Sequence, residues 1–405
     1  MIIKKNSKMQ QFIKYQLLIL IFLIIRSFPQ MLNIAEDAYA SLLSLNYSSL
    51  GLAPRVVWGS LMGIFFEYFG AKQISLFFTP IFFIFLIFSS FLIAKIISMA
   101  EEEHRLGIIF IAALFLAGPY AIAPLEASLF LPDRLLALIS VVGLVLILSK
   151  RLRWFLPLII VFAMATHQMF AFTYMPLFAV VLLYELSKHS FKKKEFFFFL
   201  TNVTIMILST LFFYFAYFIF MKDLSFEDMV KISAANTDLK VRGDMILGYF
   251  LPDTDYMFFA FAFVAPEFKA SLIPYLKTFI FTLPLDLFFA LVWSKMYKCS
   301  STKYMKFFSL MLFFFPLYIL PLFLVSSEFY RLRAASVLSQ FMIFFYLFYR
   351  QDESVLECIE KLGLLLQKYK TLALFILAYF AFSFATLRFS YPWSDFFADF
   401  IVSSR

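Results

Sequence analysis

The chain is poor in charge, and that scarcity excludes most classes of soluble protein. Only 15% of its 405 residues are Asp, Glu, Lys or Arg while 63% are hydrophobic, too few polar side chains to cover a water-soluble core of that size. Cysteine is nearly absent. Cys299 and Cys358 are the only two, so no disulfide framework is expected. The chain also lacks a Walker A loop, a GxGxxG fingerprint, a zinc-spaced Cys/His set and any internal solenoid repeat. Its first apolar run follows Lys4, Lys5, Lys8 and Lys14 and ends in RSFPQMLN with no small-residue cleavage site, which reads as a retained first span rather than a signal peptide.

What is present instead is a succession of apolar runs, rich in the 61 phenylalanines, with a mean hydropathy of +0.88. Segments of roughly 17–25 apolar residues can cross about 30 Å of hydrocarbon as helix. Such segments fall near 12–28, 73–95, 107–124, 134–149, 154–169, 170–186, 196–220, 276–294, 307–325, 334–349 and 371–388, with 154–186 also readable as one kinked pair. The expected fold class is therefore all-α: a polytopic transmembrane helix bundle of about 11 spans, forming one domain over 1–405.

Charge orients this bundle. With the N-terminus in the cytoplasm, KRLR (150–153), SKHSFKKKE (187–195), KMYKCSSTKYMK (295–306) and a linker over 350–370 all fall on the inner side, as the positive-inside rule requires. The excess of 35 basic over 26 acidic residues, net +9, belongs mostly to these loops, and no nucleic-acid partner is implied. Both cysteines are on that reducing side. The outer face then consists of 29–72, a short loop near 125–133, a tight turn near 167–173, the longer 221–275, 326–333 and the tail from about 389. In the first of these, 55–69 suits a helix lying in the interface.

Any chemistry must come from scattered outer polar residues. Glu36 and Asp37 are adjacent carboxylates just after the first span; such a pair can ligate a divalent cation, or one member can deprotonate an acceptor hydroxyl, and Asp37 can equally cap a helix starting at Ala38. Glu126 lies among apolar residues near Pro124, whereas Asp133 followed by Arg134 reads most simply as an interfacial pair anchoring the fourth helix. His167, beside Gln168, is the only one of three histidines on the outer side; it reads either as a hydrogen-bonded helix-end residue or as a site residue. The segment EFYRLRAASV places Glu328, Tyr330, Arg331 and Arg333 at the start of the tenth span. Arginines at i and i+2 do not share a face of a continuous helix, so a bend or extended loop is needed for both to hold one phosphate diester; otherwise they snorkel to headgroups. Asp286, in FTLPLDLFFALVW, is the only acid well inside a span, and after Pro284 it can satisfy backbone groups freed by a kink.

EDAYASL just after the first helix resembles the acidic motif in the first outer loop of the GT-C superfamily of polyprenyl-phosphate-sugar-dependent glycosyltransferases. EFYRLRAASVLSQFMIFF resembles the RY-R-L-P-x-x-P segment before a late helix in many bacterial members, departing from it in having no proline, with Ala334 and Val337 near those positions. The resemblance covers two short motifs plus topology, roughly a tenth of the chain on the order of a few dozen residues. It implies that Asp37, with Glu36, activates the acceptor or holds Mg2+ or Mn2+, and that Arg331 and Arg333 face the donor phosphate. It makes 55–69 the interfacial helix and 221–275 the variable outer loop. Glu126, Asp133, His167, Glu328 and Tyr330 complete the outer site. The implied partners are a polyprenyl-phosphate-linked sugar donor, a glycan or lipid acceptor and membrane lipids, at a bacterial-type inner membrane with the site facing outward. A capsule or O-antigen repeat-unit polymerase is a close variant; a lipid-linked glycan flippase and a purely structural membrane subunit are the alternatives from other classes.

Overall fold

The computed structural model describes residues 2–32, 40–53, 55–118, 132–189, 191–220, 222–241, 246, 266–324 and 329–382. These residues form helices and turns, with no β-strand among them. In chain order the α-helices are α1 Ile2–Leu32, α2 Tyr47–Leu50, α3 Val57–Met62, α4 Ala71–Met99, α5 Glu102–Ala117, α6 Pro132–Leu148, α7 Leu156–Thr166, α8 Phe170–Thr173, α9 Met175–Lys188, α10 Lys193–Phe220, α11 Phe226–Asn236, α12 Pro266–Cys299, α13 Lys303–Phe314, α14 Phe329–Tyr349, α15 Glu353–Lys368 and α16 Lys370–Phe382. Three segments within them are long and apolar enough to cross a membrane: Ala71–Met99, Lys193–Phe215 and Leu332–Tyr349. A fourth is added if α15 and α16, bent by 106° at their junction, make one span. Met9–Ile25, Arg134–Leu148 and Leu152–Thr166 are shorter apolar helices.

The three spans are arranged by polarity. Ala71–Met99 and Lys193–Phe215 have mean hydropathies of 2.5 and 2.0 and are 33% and 28% buried; Leu332–Tyr349 has only 1.4 and is 94% buried. In a bilayer the periphery contacts hydrocarbon, so the most apolar helices belong outside and the polar one inside. Helix α14 is accordingly the axis of the bundle, packed against α4, α6, α8, α9, α12 and α15. Around it the aromatic side chains interlock: Phe289 meets Phe341 at 5.1 Å and Trp293 at 6.0 Å, and Phe115 meets Phe341 at 5.4 Å.

Local sequence explains several boundaries. Pro316 and Pro321 remove backbone donors after α13, and the chain continues from Phe315 to Leu324 as a 3-10 helix. Asp352 accepts from the Ser354 and Val355 amides and starts α15. That helix occupies the expected linker 350–370. Its buried Val355, Ile359, Gly363 and Leu366 recur at i, i+4, i+8 and i+11, an amphipathic stripe that packs on α5. The crossing is close because Gly107 of α5 lies directly on the Ile359 carbonyl, where a Cβ has no room. The expected interfacial helix over 55–69 is shorter in the structure. Only Val57–Met62 is helical, and the turn that follows presents Ile64, Phe65 and Tyr68 outward.

Side-chain contacts gather the helix ends into two faces. On one, Arg153 makes a bidentate pair with Glu195 at 2.7 and 3.0 Å, and Lys188 donates to the Arg350 carbonyl at 2.9 Å. Lys295 pairs with Glu357 at 2.9 Å, and Phe191 stacks on Tyr304 at 4.4 Å. All four basic segments named above are thus on a single face. The opposite face gathers 40–70, 166–174 and 220–241: the Leu52 amide donates to the Phe220 carbonyl, the Lys222 amide to the Leu50 carbonyl, and the Phe69 amide to the Asn236 carbonyl. Ser225 opens α11 with a capping box through Asp228.

The basic face carries both thiols. Cys299 is exposed, while burial and then the nearby Glu357 push the Cys358 thiol up to about 11, which keeps it protonated. An impermeant maleimide is expected to leave both unlabelled in intact cells and, once the membrane is opened, to label Cys299 well before Cys358. Labelling of Cys299 in intact cells would put the basic face outside.

Candidate functional site

On the face opposite the basic one, a polar site is built where the first loop meets the end of α7. His167 terminates that helix: its amide donates to the Ala163 carbonyl, its backbone turns extended, and its Nδ1 accepts the Met169 amide proton at 3.0 Å. A neutral imidazole with Nδ1 so engaged carries its hydrogen on Nε2, so it is set to donate rather than to abstract a proton. Gln168 follows, and its Oε1 accepts from Arg55 Nε at 2.9 Å. Arg55 reaches it from a left-handed backbone (φ 70°), its own amide donating to the Ala165 carbonyl. Trp58 Nε1 donates to Thr166 Oγ1 at 3.2 Å, fastening α3 to the same helix end. The result is a guanidinium, an amide and an imidazole on two adjoining stretches of backbone, a set suited to bind an anion or orient a hydroxyl.

A second polar assembly lies inside the bundle. Arg333 is completely buried; its Nε and Nη2 donate to Thr282 Oγ1 at 3.0 and 2.8 Å, and Nη2 also pairs with Asp286 Oδ2. Gln340 Nε2 donates to the other oxygen, Asp286 Oδ1, at 3.2 Å. The geometry is written in two helical stripes, Thr282 and Asp286 at i and i+4 on α12, and Arg333, Ser336 and Gln340 at i, i+3 and i+7 on α14. The first assembly is also tied to the 3-10 segment. Tyr318, on the 3-10 segment, donates to the Thr173 carbonyl at 2.6 Å, and Thr173 Oγ1 donates to the Met169 carbonyl at 3.0 Å, one turn from His167.

Several expectations are corrected here. The segment 329–333 is not a bend or an extended loop but the first turn of α14, so positions 331 and 333, at about 100° per residue, fall on different faces of a continuous helix. Arg333 neither snorkels nor faces a headgroup. Its partner Asp286, expected to serve kinked backbone, has both carboxylate oxygens taken by α14 side chains. Nor is Arg134 interfacial: it is buried, with its guanidinium 4.5 Å from the Phe82 ring centre.

Of the other expected site residues, Asp133 is the second residue of α6 and Tyr330 and Arg331 are the second and third of α14. Glu36, Asp37, Glu126 and Glu328 lie outside the described residues. Fit of a divalent cation to Asp37 thus has no geometry to rest on. Glu101, Glu103 and His104 bring their ligand atoms within 4.8 Å of one another, but they are at the start of α5 on the basic face, and mostly exposed acids alone do not make a metal site. Arg55 was missed by sequence reading although it is the only cation between Arg26 and Lys72, a usable signal. Compared with protein-family models, curated proteins and solved structures, the chain matches none.

The buried pair gives a direct test. Arg333→Met or Asp286→Leu alone leaves one charge unpaired in the bundle and should cost about 3–5 kcal/mol, whereas the double substitution should recover most of that loss. Unfolding midpoints of the three variants in one detergent measure it.

Proposed function

We propose that this chain is a multi-pass membrane glycosyltransferase that moves a sugar from a polyprenyl-phosphate donor to a glycan or lipid acceptor on the outer face of a bacterial-type inner membrane. In this reading the basic face is cytoplasmic, and about eleven helices contribute to spanning, several of them short or broken. The observation that carries the proposal is the docking of residues 55–58 of the first loop on the end of α7, Arg55 on Gln168 and Trp58 on Thr166. One residue nominated from the sequence, His167, therefore adjoins the first loop.

The chemistry requires little of the protein. The bond from the sugar's anomeric carbon to the phosphate oxygen breaks, the phosphate leaves with the electron pair, and the acceptor oxygen takes its place after losing a proton to a carboxylate. Asp37, assisted by Glu36, is the proposed base. A divalent cation held there would supply Lewis-acid assistance. The leaving phosphate needs positive charge beside it; Arg333 is paired with Asp286 inside the bundle, and the proposed sources are Arg331 and Arg55. Arg331 is in the first turn of α14, where the helix dipole adds to its attraction for an anion. His167, donating from Nε2, and Gln168 would orient hydroxyls.

A transport reading gains one observation, a charged pair inside the bundle. The 360 Å³ cavity among the described residues is lined by neither Arg333 nor Asp286. Full-length protein reconstituted with a set of polyprenyl-phosphate sugars and acceptors is expected to form a new glycosidic bond. Asp37→Ala should abolish turnover, and Arg55→Gln should lower it by about 10–100-fold, chiefly through loss of donor-phosphate stabilisation. Full activity in both variants, or substrate movement across sealed vesicles without a new bond, would remove the proposal.

A further inference from the structure

Helices α4 and α6 touch near the outer face and part toward the basic one. At the outer end Arg134 covers the Phe82 ring, and Leu135, Leu138, Phe78 and Phe85 leave only a small gap of about 10 Å³ between them. Further along, a cavity of 360 Å³ opens between the two helices, backed by α14. Its walls are mostly apolar, with Ile96, Val145 and Phe345 facing it and Ser89 at depth, and its one charged group, Lys95, is at the basic end beside Ser149 and Tyr349. The Lys95 ammonium is 5.3 Å from the Tyr349 ring centre and 6.0 Å from that of Phe91. No carboxylate among the described residues pairs with it.

The dimensions suit a hydrocarbon chain entering from one leaflet. Ser89, Val141 and Met342 line the cavity six to eight residues along their helices from Lys95, Ser149 and Tyr349, a depth of about 9–12 Å at 1.5 Å per residue. One leaflet's hydrocarbon is about 15 Å thick. The volume is at the low end of small-molecule pockets, about 300–1,000 Å³, which admits part of one chain and not the body of a two-chain lipid. We propose that this cleft binds an anionic phospholipid of the leaflet on the basic face, with one acyl chain between α4 and α6 and the phosphate on Lys95. Charge decides the headgroup: a lone ammonium at the mouth attracts a net negative lipid and gains less from a zwitterion whose own cation would be brought beside it. The cleft opens at the end of the bundle opposite His167 and Gln168, so the proposal does not rest on the transferase reading.

The test measures lipid binding to the full-length protein in neutral detergent by native mass spectrometry and thermal shift. Phosphatidylglycerol, phosphatidylcholine with the same chains, and a polyprenyl phosphate are compared. Phosphatidylglycerol is expected to bind about fivefold tighter than phosphatidylcholine, the value of one near-surface cation. Lys95→Gln should erase that preference, and Val145→Trp should weaken both phospholipids by filling the cleft. Equal binding of the two phospholipids, a preference that survives Lys95→Gln, or displacement of phosphatidylglycerol by the polyprenyl phosphate would overturn the proposal. Should Val145→Trp fail to fold, Lys95→Gln still decides, because it changes a half-exposed side chain.

Discussion

The contact between Arg333 and Asp286 sets the terms for the rest of the bundle. A guanidinium with no exposed surface must be neutralised and hydrogen-bonded where it lies, because hydrocarbon offers neither water nor counter-ions. Helix α14 therefore cannot face lipid, and the other helices are recruited as its wall. Each wall helix meets it with a matching surface: α12 with Thr282 and Asp286, then Phe289 and Trp293; α9 with Glu185, which takes the Tyr346 hydroxyl at 2.7 Å and Arg350 at 2.6 Å. Polar satisfaction thus fixes the rotation of α14 at both ends, and aromatic packing fills the distance between them.

The two ends use charge differently. On the basic face the ion pairs join helix ends that are far apart in sequence, Arg153 to Glu195 and Lys295 to Glu357, and Lys361 supports Glu357 from the next turn at 2.8 Å. There Glu357 is exposed, and its hydrogen bonds to Lys361 and then Lys295 hold it down to about 2, against the usual carboxylate range. Its contribution is therefore present above about pH 4.5 and fades as pH falls toward 2. On the opposite face the links are mostly neutral: Ser44 to Ser233 at 2.7 Å, Thr237 to the Phe69 carbonyl at 2.7 Å, Asn236 to the Ser44 carbonyl at 3.2 Å. Hydroxyls and amides bound to backbone hold a loop cap in one shape without spending the charges that an anionic substrate would need.

Much of this organisation was legible in the sequence, and the parts that were not share a cause. Apolar run length located the helices, and four basic segments predicted a common face, because both properties are summed along the chain and do not depend on rotation about a helix axis. Arg333 was misplaced because rotation is what decides it. Position 331 falls on a different face of the same helix, and proximity in sequence suggested joint action that helical geometry forbids. The polar stripe through Arg333, Ser336 and Gln340 was available as a signal and, matched against Thr282 and Asp286, points to an interior pair rather than a headgroup clamp. Helix α15 was read as a linker because its charges mask a stripe at i, i+4, i+8 and i+11. The first loop's fold depended on Arg55 in a left-handed conformation, which no periodicity announces.

These corrections sharpen the chemistry as well as the fold. An arginine that is paired inside the bundle contributes a dipole, and a dipole's field falls off too steeply to neutralise a phosphate at the surface. Under the transferase reading proposed above, a leaving phosphate would meet cations nearer the surface than the pair, such as Arg55, which is held against Gln168. The His167 imidazole is oriented locally: the Met169 amide engages its Nδ1, and Thr173 and Tyr318 hold the same turn through the Met169 and Thr173 carbonyls. Rigid support of that kind lets a few surface groups act with defined geometry on a site otherwise made of loops.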